Sequence, residues 1–110
     1  MIIPGVLERI DPVGAPVAVL YTLPHSGRDY PEDFNSALPM DILRRAEDAY
    51  VDLLLDGAEA NGAAVLKALF PRAYLDANRM EDDLDPALLP PGTPVTAGEK
   101  SKLGIGLVRR

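Results

Sequence analysis

The apolar run Val17-Ala18-Val19-Leu20-Tyr21 stops at Leu23-Pro24-His25-Ser26-Gly27, and that break constrains the fold more than any other feature. An unalternating apolar run predicts a strand over residues 17–22, buried on both faces. A proline, a glycine and a polar pair directly after it predict a tight loop at the strand's carboxyl end. In open α/β sheets, ligands gather there. His25, the one histidine in the chain, lies in that loop. A loop histidine hydrogen-bonded to backbone is the plain alternative to a functional one.

The flanking segments supply the rest of an α/β pattern. Residues 1–16 carry Pro4, Pro12 and Pro16 among short apolar pieces, with a short edge strand expected over Val6–Ile10 and a turn at Asp11-Pro12-Val13-Gly14. From Leu38 the spacing turns helical. Leu43, Ala46, Tyr50, Leu53, Leu54 and Ala58 form one apolar stripe, predicting a helix over residues 40–61 that packs through Leu43, Tyr50, Leu53 and Leu54 and stops at Asn61-Gly62. A break near Ala46-Glu47-Asp48 would instead start a second helix close to Asp48. Residues 63–68 and 73–76 are the next strand candidates. Strand, helix and strand in this order predict a parallel βαβ unit. Residues 81–94 form an acidic, proline-rich loop without periodicity.

With 110 residues the chain holds one small domain, 1–110, and its 47% hydrophobic content marks it as globular. No run reaches the length of a membrane span, and no basic, apolar leader opens the chain. The net charge of −6, with no basic run before Arg109-Arg110, argues against nucleic acid as a partner. A cytoplasmic protein acting on a small molecule is expected. The apolar end, Leu103-Gly104-Ile105-Gly106-Leu107-Val108, reads as a strand entering a core, so a truncated domain is expected.

The absence of cysteine leaves His, Asp and Glu as metal donors. Zinc without thiolates takes imidazole and carboxylate ligands, with one position left for water. His25 offers one ligand, and Glu47, Asp48 or Asp52 a second. Asp48 and Asp52 share a helix face. On a continuous helix that face is solvated, whereas a helix starting at Asp48 sets its carboxylate in the first turn, where an acid is favoured. The spacing leaves both arrangements open. Asp76-Ala77-Asn78-Arg79 is the second cluster. An Arg beside an Asn at a strand end makes a bidentate clamp for a carboxylate, and the alternative is a surface pair between Arg79 and Asp76, Glu81 or Asp82. If both side chains share a cleft with His25, the strand must have ended by Ala77, which predicts irregular backbone at 77–79. Asp76 takes a supporting role, orienting Arg79 or the loop backbone. No phosphate loop or nucleophile elbow is present, and Ser26 is too close to His25 in sequence to imply a Ser–His dyad.

Taken together, Pro24-His25-Ser26-Gly27, Glu47-Asp48-Ala49-Tyr50-Val51-Asp52 and Leu69-Phe70-Pro71-Arg72-Ala73-Tyr74-Leu75-Asp76-Ala77-Asn78-Arg79 resemble the N-formylglutamate amidohydrolase family. So does the glycine-spaced run at Leu103-Gly104-Ile105-Gly106. The resemblance covers nearly the whole chain, while the family's domain is more than twice as long. It implies an α/β fold of the phosphorylase/hydrolase-like type, a mixed, largely parallel sheet with flanking helices, of which this chain is the first half. It also implies a metal-dependent hydrolase of the amide bond of an N-acyl amino acid, N-formyl-L-glutamate giving formate and glutamate in histidine degradation. By the same resemblance His25 is the first zinc ligand and Asp48 an acidic ligand, with Glu47 or Asp52 as alternates. Asn78 and Arg79 clamp the substrate carboxylate, Asp76 and Ser26 support them, and a second histidine and the general base lie beyond Arg110. The other readings are an aspartoacylase-like or carboxypeptidase-like hydrolase of another acyl-amino acid, and a non-catalytic acidic interaction module retaining half of the fold.

Overall fold

The computed structural model describes residues 1–110. Four strands form one sheet: β1 (Ile2–Ile3), β2 (Leu7–Ile10), β3 (Leu20–Leu23) and β4 (Ala64–Ala68), in the order β1-β2-β4-β3. Pro4 and Gly5 join β1 to β2 through a tight turn closed by the Val6 N–H on the Ile3 carbonyl at 3.0 Å, with Gly5 at φ 69°. Proline then glycine is what a type II turn asks of its central positions, and the turn forces an antiparallel pair. β2 also runs antiparallel to β4, Arg9 opposite Leu66. Only β3 and β4 are parallel, Tyr21 opposite Val65, as a crossover connection between them permits.

The sheet is therefore mixed but not largely parallel. Two of its three pairings are antiparallel, β1 with β2 through the hairpin and β2 with β4. The strand expected at the edge over Val6–Ile10 forms as β2 and lies inside, between β1 and β4.

Other expectations shift for identifiable reasons. The run at 17–22 joins the ladder only from Leu20, because Pro16 offers no N–H and the Val19 N–H closes a tight turn on the Val17 carbonyl at 2.8 Å. As an edge strand β3 is not buried on both faces. Leu20 is 58% exposed and only Leu23, at 3%, is in the core. Residues 73–76 form no strand, since the N–H groups of Tyr74 and Leu75 both turn back to the Pro71 carbonyl. The backbone at 77–79 is irregular, as expected.

The helix over 40–61 is instead a series of single turns, including α1 (Met40–Leu43) and α2 (Val51–Leu54). Glu47 is extended and Tyr50 sits in the left-handed region at φ 66°, which few non-glycine residues adopt. Of the expected stripe, Leu43 is buried while Tyr50, Leu53 and Leu54 are exposed. A last turn, α3 (Glu99–Lys102), packs under the acidic loop, where buried Asp83 accepts a hydrogen bond from the Ser101 N–H at 3.0 Å. The chain is elongated: its radius of gyration is 16.2 Å, against about 13 Å for a compact chain of this length. No helix is long and apolar enough to cross a membrane.

Candidate active site

β3 ends at Leu23, and the next residues turn over the end of β4. Gly27 permits this turn: a Cβ there would stand 2.2 Å from the Phe70 carbonyl oxygen, so a side chain would push the two loops apart. The segment that breaks the expected helix docks on the same loop. The Asp48 N–H donates to the His25 carbonyl at 3.0 Å, and Ser26 Oγ donates to the Asp48 carbonyl at 3.0 Å. These two bonds draw residues 47–48 out of helical geometry and set Asp48 beside the imidazole.

His25 is buried between two carboxylates. Its Nε2 lies 2.7 Å from Asp76 Oδ1, and its Nδ1 lies 3.4 Å from Asp48 Oδ2. Asp76 is fully buried and also accepts the Asn78 N–H at 2.9 Å. Burial by itself would raise the Asp76 pKa. The hydrogen bonds from His25 and Asn78, with the charges of His25 and Arg79, outweigh it and hold the carboxyl below its ordinary value. An ionised Asp76 is an acceptor for an Nε2–H donor, while Nδ1 is turned to Asp48.

Three guanidinium groups close the cluster. Arg72 Nε, Arg79 Nη2 and Arg109 Nη2 stand 3.7, 3.8 and 3.9 Å from Asp76 Oδ2. None is hydrogen-bonded to that oxygen. Arg79 is anchored by backbone, its Nε donating to the Ile105 carbonyl at 2.9 Å and its Nη1 to the Asn78 carbonyl at 2.8 Å. Arg72 Nη1 reaches the Ala46 carbonyl at 3.3 Å and Asp48 Oδ1 at 3.4 Å. The side chain of Asn78 is exposed and makes no hydrogen bond within the chain; it borders a hollow of about 370 Å³ between the ends of β3 and β4, lined also by Leu23, Pro24, Phe70 and Ala77.

His25, Asp48, Asp76 and Arg79 thus come together, with Ser26 bracing them. The alternate acids turn elsewhere. Glu47 accepts from the Tyr30 hydroxyl at 2.7 Å, and Asp52 pairs with Arg28 at 2.6 Å. Burial, and then the Glu47 carboxylate, push the Tyr30 hydroxyl up to about 12. Sequence reasoning missed Arg72 and Arg109 as members of the cluster. Arg72 carried a signal in its four-residue spacing to Asp76, a spacing that suits a turn. Arg109 carried none, because a loop closing from residues 103–110 is not written in any local pattern.

The donor set for a metal is partial. A nitrogen and an oxygen each bound to a tetrahedral zinc stand about 3.4 Å apart, the separation found between His25 Nδ1 and Asp48 Oδ2. No group of three His, Asp or Glu side chains converges on one point, so His25 and Asp48 would supply two ligands of a zinc ion and not a complete set.

Comparison with known proteins bears on what such a cluster does. The model of a family described as N-formylglutamate amidohydrolase matches residues 17–110. Among solved structures, a crystal structure of N-formylglutamate amidohydrolase from Ralstonia eutropha JMP134 superposes with a TM-score of 0.85 at 40% sequence identity, covering 96% of this chain and 38% of that one. The chain thus spans well under half the length of that relative. Among curated proteins there is no match. The family match takes in β3, the His25 loop, Asp48 and the arginine cluster alike, and with the 40% identity to a solved relative it places the chain in the N-formylglutamate amidohydrolase family.

Proposed function

We propose that this chain carries the first half of the active site of a zinc-dependent amidohydrolase that releases formate and glutamate from N-formyl-L-glutamate. The observation that carries the proposal is the placement of His25: Nε2 lies 2.7 Å from a buried carboxylate, and Nδ1 faces the Asp48 carboxylate at 3.4 Å. That is the arrangement of an imidazole ligand held in one tautomer by a carboxylate behind it. His25 and Asp48 would hold the metal, with further ligands from outside residues 1–110. When bound, a zinc ion supplies Lewis acidity, polarising a carbonyl and lowering the pKa of water to about 7.

The chain's own residues have separate tasks. Asp76 fixes the imidazole plane and keeps the proton on Nε2. Arg72 bridges Asp48 and Asp76, so that the two carboxylates do not repel across the ring. Asn78, with its amide uncommitted, and Arg79, with Nη2 free of backbone bonds, bind one substrate carboxylate and so orient the amide toward His25. Ser26 ties the Asp48 backbone to the loop that presents the imidazole.

Incubation of the protein expressed from its natural reading frame with N-formyl-L-glutamate and zinc tests the reading. Stoichiometric formate and glutamate, lost on chelation and restored by zinc, are expected. Cleavage of N-acetyl-L-aspartate in preference would shift the reading to the aspartoacylase-like alternative. Turnover of neither would overturn it.

A further inference from the structure

We propose that Tyr30 is a positioning residue for Asp48: its hydroxyl, through the Glu47 carboxylate, fixes the backbone that presents Asp48 to His25; as a role in metal binding this rests on the zinc reading above. The Glu47 side chain is only 7% exposed. Its Oε1 accepts a hydrogen bond from the Tyr30 hydroxyl at 2.7 Å, and Arg44 Nε stands farther off, at 3.9 Å. A buried carboxylate needs a hydrogen-bonding partner, and here that partner is the tyrosine.

Glu47 is the residue at which the expected helix breaks. It is extended, at φ −75° and ψ 140°, between the turn at 44–46 and Asp48. Its neighbours are tied to other segments by their main chains. The Ala46 carbonyl accepts from Arg72 Nη1 at 3.3 Å, the Asp48 N–H donates to the His25 carbonyl, and the Asp48 carbonyl accepts from Ser26 Oγ. The main chain of Glu47 bonds only within its own segment, its N–H to the Arg44 carbonyl at 3.1 Å. Its side chain is therefore its tie to the rest of the molecule, and that tie ends on Tyr30.

Tyr30 is held in turn by a row of aromatic rings. It stacks on Phe34 with centroids 6.2 Å apart and planes 19° apart, and Phe34 meets Tyr74 edge-on at 5.4 Å and 82°. Both are arrangements that aromatic pairs prefer. The Tyr74 N–H closes on the Pro71 carbonyl at 2.9 Å, in the turn that carries Arg72 and leads into Asp76. The row thus joins the segment bearing Asp48 to the segment bearing Asp76, the two carboxylates that flank His25. A fixed ring fixes its hydroxyl, and a fixed hydroxyl fixes the carboxylate that accepts from it. Outer partners of this kind orient a ligand without touching the metal.

The test is zinc affinity, measured by chelator competition on the protein expressed from its natural reading frame. Tyr30→Phe should bind zinc about tenfold more weakly. Glu47→Ala should lose as much, and the double variant no more than either single one, because both remove one bond. Glu47→Gln keeps an acceptor for the hydroxyl and should retain wild-type affinity. Unchanged affinity in Tyr30→Phe overturns the assignment even if its urea midpoint falls, since that is how a merely structural tyrosine behaves. Equal losses in Glu47→Gln and Glu47→Ala overturn it too, and would make Glu47 a ligand by its charge. If Tyr30→Phe does not fold, the comparison of Glu47→Gln with Glu47→Ala decides on the same terms. A second readout needs no metal. The His25 imidazole signals, identified by their loss in His25→Ala, should move in Tyr30→Phe and stay in place in Glu47→Gln. Signals unmoved in Tyr30→Phe overturn the assignment. Signals that respond as expected, in a protein that binds no zinc, keep the role of Tyr30 in placing Asp48 and remove the zinc reading.

Discussion

The apolar segments and the site loops differ in what they bury, opposite to what their composition suggests. The run at 17–21 and the segment 50–55 are rich in Val, Leu and Tyr, yet Val17, Tyr50, Leu53 and Leu54 are 51, 65, 56 and 80% exposed. The loops at 23–27 and 72–79 carry the site's polar and charged side chains, and with the hairpin at 104–110 they leave His25, Ser26 and Asp76 almost completely buried. Four apolar residues are buried against six polar or charged ones, so the interior of this chain is organised by hydrogen bonds more than by apolar packing. Buried polar groups demand partners, and each partner is a constraint on geometry. Within these 110 residues it is the candidate site, not the sheet face, that is rigidly specified.

The comparison breaks hardest at Asp76. Asp76→Ala removes the acceptor that faces one imidazole and three guanidinium groups, and should cost about 3–5 kcal/mol in urea unfolding. A cost near zero would mean that the cluster holds nothing together. The same residue sets a pH dependence. Its carboxyl titrates below its ordinary value in the folded chain, so the stability it lends is complete above that ordinary value of 3.8 and is lost as pH falls through the lower folded one. The melting temperature of the wild type should therefore drop steeply below about pH 4, and Asp76→Asn should flatten that limb.

The next largest effect is expected at Gly27. A Cβ placed 2.2 Å from the Phe70 carbonyl oxygen must move backbone, and Gly27→Ala should cost about 1–3 kcal/mol. It should also displace His25 from Asp48, visible as a shifted imidazole resonance. An unperturbed spectrum would show that the loop has room.

How much of this was legible in the sequence follows from the same division. The strand at 64–68 and the loop at His25 are local, and local residue chemistry announced them; the strand expected over 73–76 does not form, so the irregular backbone at 77–79 follows a turn and not a strand end. The helix over 40–61 was not. Its spacing is helical, but the backbone of Asp48 is taken by His25 and Ser26, and tertiary hydrogen bonds override propensity there. The choice among Glu47, Asp48 and Asp52 was likewise closed to sequence, because Tyr30 and Arg28, far along the chain, engage two of the three. Arg109 reaches the cluster through a hairpin whose backbone contacts to Asp76 and Asp83 no pattern predicts.

The smallest effect completes the comparison. Leu54, expected from its spacing to be core, is 80% exposed, so Leu54→Ala should change stability by no more than about 0.5 kcal/mol. A loss of several kcal/mol would place that face against a partner surface.

The central claim is that His25 and Asp48 supply two ligands of one zinc site, with Asp76 holding the imidazole from behind. The most direct measurement is zinc stoichiometry by equilibrium dialysis and elemental analysis, on the protein expressed from its natural reading frame and on its His25→Ala and Asp76→Asn variants. The account predicts one tightly held zinc per chain, its loss in His25→Ala, and about 10–100-fold weaker binding in Asp76→Asn. Undiminished zinc in His25→Ala would contradict it.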